Sequence, residues 1–211
     1  MKKENTKKPI HFMIDIETLG TCPYSVIIRV SAVKFDITEV NSQMMYDDND
    51  VFDGHINLFD SIGKHGLIIE KDTLKWWQGK DNVDTFGKLL TVCSTNNFDN
   101  LSMCHALADF LCYYIDDEKT PFFVWGNSAR FDLGLLANVY ERCNVPLPWK
   151  WWNERCMRTY ASIIPDIRKN HKFIGQPHNS VDDAKNQILI AQKIYQRLNP
   201  QIIDEFKPVY E

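Results

Sequence analysis

The stretch IHFMIDIETLG, Ile10 to Gly20, sets two acids two positions apart, Asp15 and Glu17, inside an apolar run. Apolar residues at 10, 12, 13, 14 and 16, with too little room for a helix before Gly20, predict a short strand at the centre of a sheet. Side chains alternate along a strand, so both carboxylates face the same way. Two like charges side by side on a mostly buried element are costly unless something positive neutralises them, and a divalent cation would. Taken alone, the stretch fits a strand end fraying into solvent better than a site, with Thr18-Leu19-Gly20 beginning a turn.

At 211 residues the chain has the length of one ordinary domain, expected over 10 to 211 after a flexible, lysine-bearing tail over 1 to 9. No apolar run nears the ~20 residues of a membrane span, and MKKENTKKP lacks the apolar segment of a secretion signal. A cytoplasmic location is expected, the host's cytoplasm if the chain is phage-encoded. The six cysteines form no CxxC pair and match no histidine spacing, which argues against a zinc site or a disulfide framework. A net charge of -4 argues against grip on nucleic acid through bulk positive charge, but not against action on one end of a strand.

After the first strand, residues 25 to 36 read as a second strand deep in the same sheet, and 51 to 58 as a third. DTLKWWQ predicts a short helix capped by Asp72, with another helix around 85 to 92 and a longer one capped by Ser102. Residues 121 to 125 read as a buried strand, followed by a helix over 129 to 143, an irregular segment over 144 to 177 and a last helix over 179 to 198. Pro146, Pro148 and Pro165 act as breakers in the irregular segment, with a short helix over 159 to 164. Three antiparallel strands, then helices alternating with further strands, predict an α/β fold with helices packed on a mixed sheet.

Two of the helices carry acids where apolar residues belong. Counted at about 100° per residue, Asp132 falls among Leu135, Leu136, Val139 and Cys143. Asp183 falls on the edge of the last helix's apolar stripe, whereas Asp182 lies on its polar side. Each has an ordinary explanation, since Asp132 suits the positive end of a helix dipole and Ser180 with Asp183 fits a capping pattern. Together with Asp15 and Glu17 they make four carboxylates expected to face inward, with His178 just before the last helix. Oxygen ligands at this density suit two Mg²⁺ or Mn²⁺ ions, and such a pair suits phosphodiester hydrolysis with His178 deprotonating the water.

In order and spacing these residues resemble the DEDDh exonucleases, 3′-to-5′ nucleases of the ribonuclease H-like superfamily. The carrying motifs are Asp15-Ile16-Glu17-Thr18, the segment Gly126 to Asp132, and His178 followed by Asp183-Ala184. DTLKWWQ, VWGNSARFDLGLL and the residues around Arg158 look most like the branch with phage exodeoxyribonuclease A, exonuclease VIII and related small bacterial exoribonucleases. Ser128 and Ser180 stand where that branch usually has glycine and alanine. The resemblance implies that Asp15, Glu17 and Asp183 hold a first metal. It also implies that Asp15 reaches a second with Asp132, that His178 is the general base, and that the Thr18-Leu19 backbone seats the terminal nucleotide.

Trp76 and Trp77, about 100° apart on a helix, are not both expected in one pocket; either both are core, or one is free to stack on a base. Asn127 and Arg158 are further candidates for substrate contact, and Arg155, Arg168, Lys169 and Lys172 are looser ones. The expectation is a single-strand-specific 3′-to-5′ exonuclease releasing nucleoside 5′-monophosphates, DNA slightly favoured over RNA. The rivals are a proofreading or repair subunit of a polymerase and a silent binding domain. The sequence permits a homodimer without indicating one.

Overall fold

The computed structural model describes residues 7–95, 98–115 and 120–200; most of the expected tail lies outside these. Strands β1 (Ile10–Thr18), β2 (Ile27–Phe35), β3 (Val51–His55), β4 (Phe122–Gly126) and β5 (Glu154–Cys156) form one sheet in the order β3-β2-β1-β4-β5. β1 runs antiparallel to β2 and parallel to β4, β2 pairs antiparallel with β3, and β4 pairs parallel with β5. With a partner on each side and helices over both faces, β1 is buried from His11 onward. The architecture is α/β and ribonuclease H-like, a mixed sheet flanked by helices.

The described residues hold eight α-helices in chain order: α1 (Leu58–Gly63), α2 (Lys71–Trp77), α3 (Val83–Thr95), α4 (Asn100–Tyr113), α5 (Gly134–Arg142), α6 (Met157–Ala161), α7 (Pro165–Lys169) and α8 (Ser180–Leu198). Alternation along β1 divides the core in two. Phe12, Ile14 and Ile16 pack with Leu89 of α3, Leu107 and Leu111 of α4, and Leu136 and Tyr140 of α5. On the other face Met13 packs with Met157 and Ala161 of α6 and with Ala184, Ile188 and Ala191 of α8. Asp15 and Glu17 continue the row begun by Met13, so the pleat turns them toward the first turns of α8.

The structure differs from the sequence reading chiefly at element ends. The third strand stops at His55, because the side chain of Asn57 accepts from the amides of Phe59 and Asp60 and starts α1. Asp72 does not cap α2. It lies inside the first turn, and the N-cap is Glu70, whose carboxylate binds the backbone and hydroxyl of Thr21 instead. Ser102 likewise lies inside α4, giving its amide to the true cap, Asp99, at 2.7 Å. The segment read as irregular holds β5, α6 and α7, with Pro165 opening α7 rather than breaking a helix. Asn179, not Ser180, caps α8; Ser180 is fully buried, its hydroxyl 2.6 Å from that of Ser31.

Replacing Asp99 by Ala should therefore destabilise the protein by about 1 kcal/mol, and Ser102→Ala by about 0.5 kcal/mol or less. Urea unfolding of the two variants checks this, and the reverse order would return the cap to Ser102.

Candidate active site

Asp15 and Glu17 end β1 in near-complete burial, and Asp183 comes down on them from the first turn of α8. One carboxylate oxygen from each lies within 4.8 Å of the others. Burial pushes the Asp15 carboxyl well above the ordinary range, and the charges of Asp132, Glu17 and Asp183 push it further. Burial and Asp183 do the same to Glu17, against the opposing charge of Arg29. Asp183 is pushed up to about 6, mainly by burial, while the His178 amide and Arg29 pull the other way. Its Oδ2 is buried and has no hydrogen-bond partner among the described residues. Three hard oxygen donors, one of them orphaned and all short of compensating charge, suit a divalent cation of the Mg²⁺ type.

Asp132 stands beside this trio. It reaches its place by a turn of π-helix, Ala129–Leu133, inserted between β4 and α5. A π turn takes an extra residue, so the even helical count across this segment misses the local geometry. The Ser128 amide donates to Asp132 Oδ2 at 2.7 Å. Gly126 makes the approach feasible, since a Cβ there would lie 2.9 Å from that of Asp132. Burial lifts the Asp132 carboxyl to about 6, partly offset by the Ser128 amide and by Arg158.

His178 holds a left-handed backbone, φ 63°, rare for a residue with a side chain. Its ring meets Trp76 edge-on at 4.8 Å and Trp77 at 6.0 Å, and partial burial lowers its pKa below the usual 6.5. The two tryptophans divide the roles left open by the sequence. Trp77 is core, stacked on Phe86, and its indole donates to the Thr18 carbonyl at 2.9 Å. Trp76 is 47% exposed and walls a cavity of about 720 Å³ with Ile16, Glu17, Thr18 and Phe131.

Leu19 is absent from that wall. It is buried, its amide donates to Val26 and its carbonyl accepts from Glu70, so its N–H is already spent within the fold. Asn127 and the exposed Arg158 lie together on the Asp132 side, joined by a backbone hydrogen bond of 3.0 Å. Arg168 reaches the Asn127 side chain at 3.4 Å. Arg155 lies elsewhere, over the ring of Phe123.

Two side chains escaped the sequence reading. Gln187, one turn beyond Asp183 on α8, donates to Asp15 Oδ1 at 2.7 Å; the i+4 spacing was its only signal. Arg29, opposite Glu17 in the β1–β2 register, is clamped by both oxygens of Asp53 at 2.8 and 2.9 Å. A lone arginine in an apolar strand facing an acid was legible, but its partner was not.

The description of the family model that matches residues 10–195 reads 3′-5′ exoribonuclease Rv2179c-like domain. The chain belongs to that family. With it the chain joins the DEDDh 3′-to-5′ exonucleases, a group of hydrolytic enzymes. Among solved structures this Rv2179c-like chain is similar to a 3′-exonuclease described for 3′-end-specific recognition of histone mRNA stem-loop, at 13% identity over 92% of this chain and 84% of that one, TM-score 0.57. It is also similar to E. coli exonuclease I in a zinc-bound complex with single-stranded DNA, at 15% identity over 94% of this chain and 43% of that one, TM-score 0.59. The exonuclease I of Methylocaldum szegediense matches at 11% identity over 93% of this chain and 42% of that one, TM-score 0.60. The chain thus spans less than half the length of exonuclease I, and likeness at these identities concerns the fold. No curated protein matches the chain. Among the described residues no helix is long and apolar enough to cross a membrane.

The raised carboxyls set a pH dependence. A folded-state pKa above the unfolded value means the folded chain binds protons more tightly, so stability from Asp132 and Asp183 falls as pH rises from about 4 through about 6. A cation needs the deprotonated carboxylates, so its stabilisation must grow across the same window. Thermal unfolding with and without Mn²⁺ should give a clear rise in Tm at pH 7.5 and little at pH 5; an increment independent of pH would count against these carboxylates as its source.

Proposed function

We propose that this chain, acting as one domain over 10 to 211, is a 3′-to-5′ exonuclease that depends on divalent cations and releases nucleoside 5′-monophosphates from single-stranded RNA ends. The observation that carries this reading is the buried carboxylate trio with its orphaned Asp183 oxygen, set beside His178 and an aromatic-walled cavity. The sequence alone tipped the sugar preference toward DNA; the description of the matching family model supports RNA instead. The motifs favour the branch with phage exodeoxyribonuclease A, exonuclease VIII and related small bacterial exoribonucleases within the superfamily.

Asp15, Glu17 and Asp183 would hold one Mg²⁺ or Mn²⁺, and Asp15 would touch a second, with Asp132 contributing directly or through water. When bound, such ions neutralise charge building on the scissile phosphate and the departing oxygen. Gln187 keeps Asp15 oriented, and the Ser128 amide fixes Asp132. The terminal base stacks on Trp76. Thr18 borders the terminal sugar, while Asn127 and Arg158 meet backbone phosphate. His178 takes the proton of the attacking water; burial holds its pKa below 6.5, so the ring is neutral and able to accept at pH 7. Displacement breaks the bond between phosphorus and the 3′-oxygen of the penultimate nucleotide, forms one to the water oxygen, and frees a nucleoside 5′-monophosphate.

Wild type should shorten a 5′-labelled RNA strand stepwise in Mn²⁺, faster than DNA of the same sequence, while Asp15→Asn and Asp183→Asn leave it intact. Faster loss of DNA would reverse the sugar assignment, and undiminished cleavage by either variant would remove the metal site from the mechanism. His178→Ala should lose roughly 10²- to 10⁴-fold in kcat. In wild type the rate should fall on acidification, as the imidazole and the carboxyls of Asp132 and Asp183 take up protons.

A further inference from the structure

We propose that Asn186 is a positioning residue for His178, acting by strapping the loop that carries the histidine onto α8; this rests on the nuclease reading above. The loop from Lys172 to Pro177 is exposed, and its two large apolar residues, Phe173 and Ile174, are 39% and 47% accessible. Apolar burial therefore does not hold it, and hydrogen bonds do.

Asn186 is 3% exposed, and both ends of its amide reach the loop. Its Oδ1 accepts from the Ile174 amide at 3.0 Å and pairs with His171 Nε2 at 2.7 Å. Its Nδ2 donates to the Ile174 carbonyl at 2.8 Å and to the Asp182 carbonyl at 2.7 Å. Ile174 is thus gripped through both backbone groups, as a strand partner would grip it.

Asp182, one turn earlier on the same helix face, takes the next hold: its Oδ2 accepts from the Gln176 amide at 2.9 Å. Gly175, at φ +98°, makes room, since a Cβ there would lie 2.6 Å from that oxygen. The Gln176 carbonyl then accepts from the amide of Asn179, the cap of α8, at 3.2 Å. His178 is caught between these anchors in its left-handed conformation, a state that persists only where the surroundings impose it. Without Asn186 the restraint on the loop reduces to Asp182, the cap and a 3.5 Å hydrogen bond from the Gln176 side chain to Thr85, and the imidazole loses its fixed place beside Trp76.

Asn186→Ala should lower kcat by about ten- to a hundredfold with KM and calorimetric Mn²⁺ affinity within about twofold of wild type. Trypsin should cut faster after Lys172, a readout independent of activity. In a His178→Ala background the same substitution should cost almost nothing further, because the residue acts through the histidine. An equal loss in both backgrounds, or an unchanged kcat in an otherwise active protein, would overturn the assignment alone. A wild type inert on both RNA and DNA would overturn the nuclease reading and this assignment with it. Should Asn186→Ala fail to fold, Asp182→Ala removes the neighbouring anchor and is expected to show the same split between kcat and Mn²⁺ affinity, with Asp182→Asn, which keeps the acceptor, restoring activity.

Discussion

Mutual repulsion among buried carboxylates is the constraint to which the rest of this structure answers. Asp15, Glu17 and Asp132 are each nine-tenths or more hidden from solvent, and Asp183 closes over them. Desolvation alone would favour their neutral forms, and proximity adds to that preference. The fold opposes it with fixed dipoles and one internal cation: the Gln187 amide on Asp15, the Ser128 amide on Asp132, the His178 amide and helix start at Asp183, and Arg29 facing Glu17. Arg29 is itself divided, since both of its bonds to carboxylate go to Asp53. The compensation is incomplete, and a centre left that way favours whatever brings positive charge to it.

The same constraint explains the division of the sheet. Residues of β1 that face α3, α4 and α5 are apolar through Ile16, while the row facing α8 changes from Met13 to Asp15 and Glu17 within two steps. α8 follows that change along its own length. Its first turns carry Ser180, Asp183 and Gln187 over the acids, and its later turns carry Ile188, Ala191 and Ile194 over the apolar part. The 19-residue helix therefore seals the core at one end and completes a polar site at the other.

Much of this was legible in the sequence because alternation and helical spacing are local rules. The pairing of Asp15 with Glu17 needed only the pleat, and Asp183 stood out against the stripe of α8. Asp132 was marked correctly as misplaced although its helix opens with a π turn, because the inward sense of a residue so close to β4 survives a small error of phase. The capping assignments failed where two candidates competed: Asp99 outranks Ser102, and Glu70 is drawn away to Thr21. β5 is three residues long and exists by pairing with β4, so no periodicity announces it. Asn186 and Gln187 read as ordinary polar positions on a helix, since what makes them special, Ile174 and Asp15, arrives only with the tertiary fold.

Charge also orders the events of the proposed reaction. The chain carries a net charge of -4, and a phosphodiester approaching the site meets four carboxylates, with Arg158 as an exposed cation whose charge reaches Asp132. Phosphate and carboxylate repel at close range in a poorly solvated site, so the metal-free centre disfavours its own substrate. Cation loading would reverse the sign of that interaction, which would make cation and nucleic acid ligands that favour each other's binding. Linkage requires the coupling to be reciprocal: to whatever degree the ions tighten the strand, the strand tightens the ions. A fold that leaves its central carboxylates undercompensated would thereby confine strong grip on the polyanion to the state in which the ions are present.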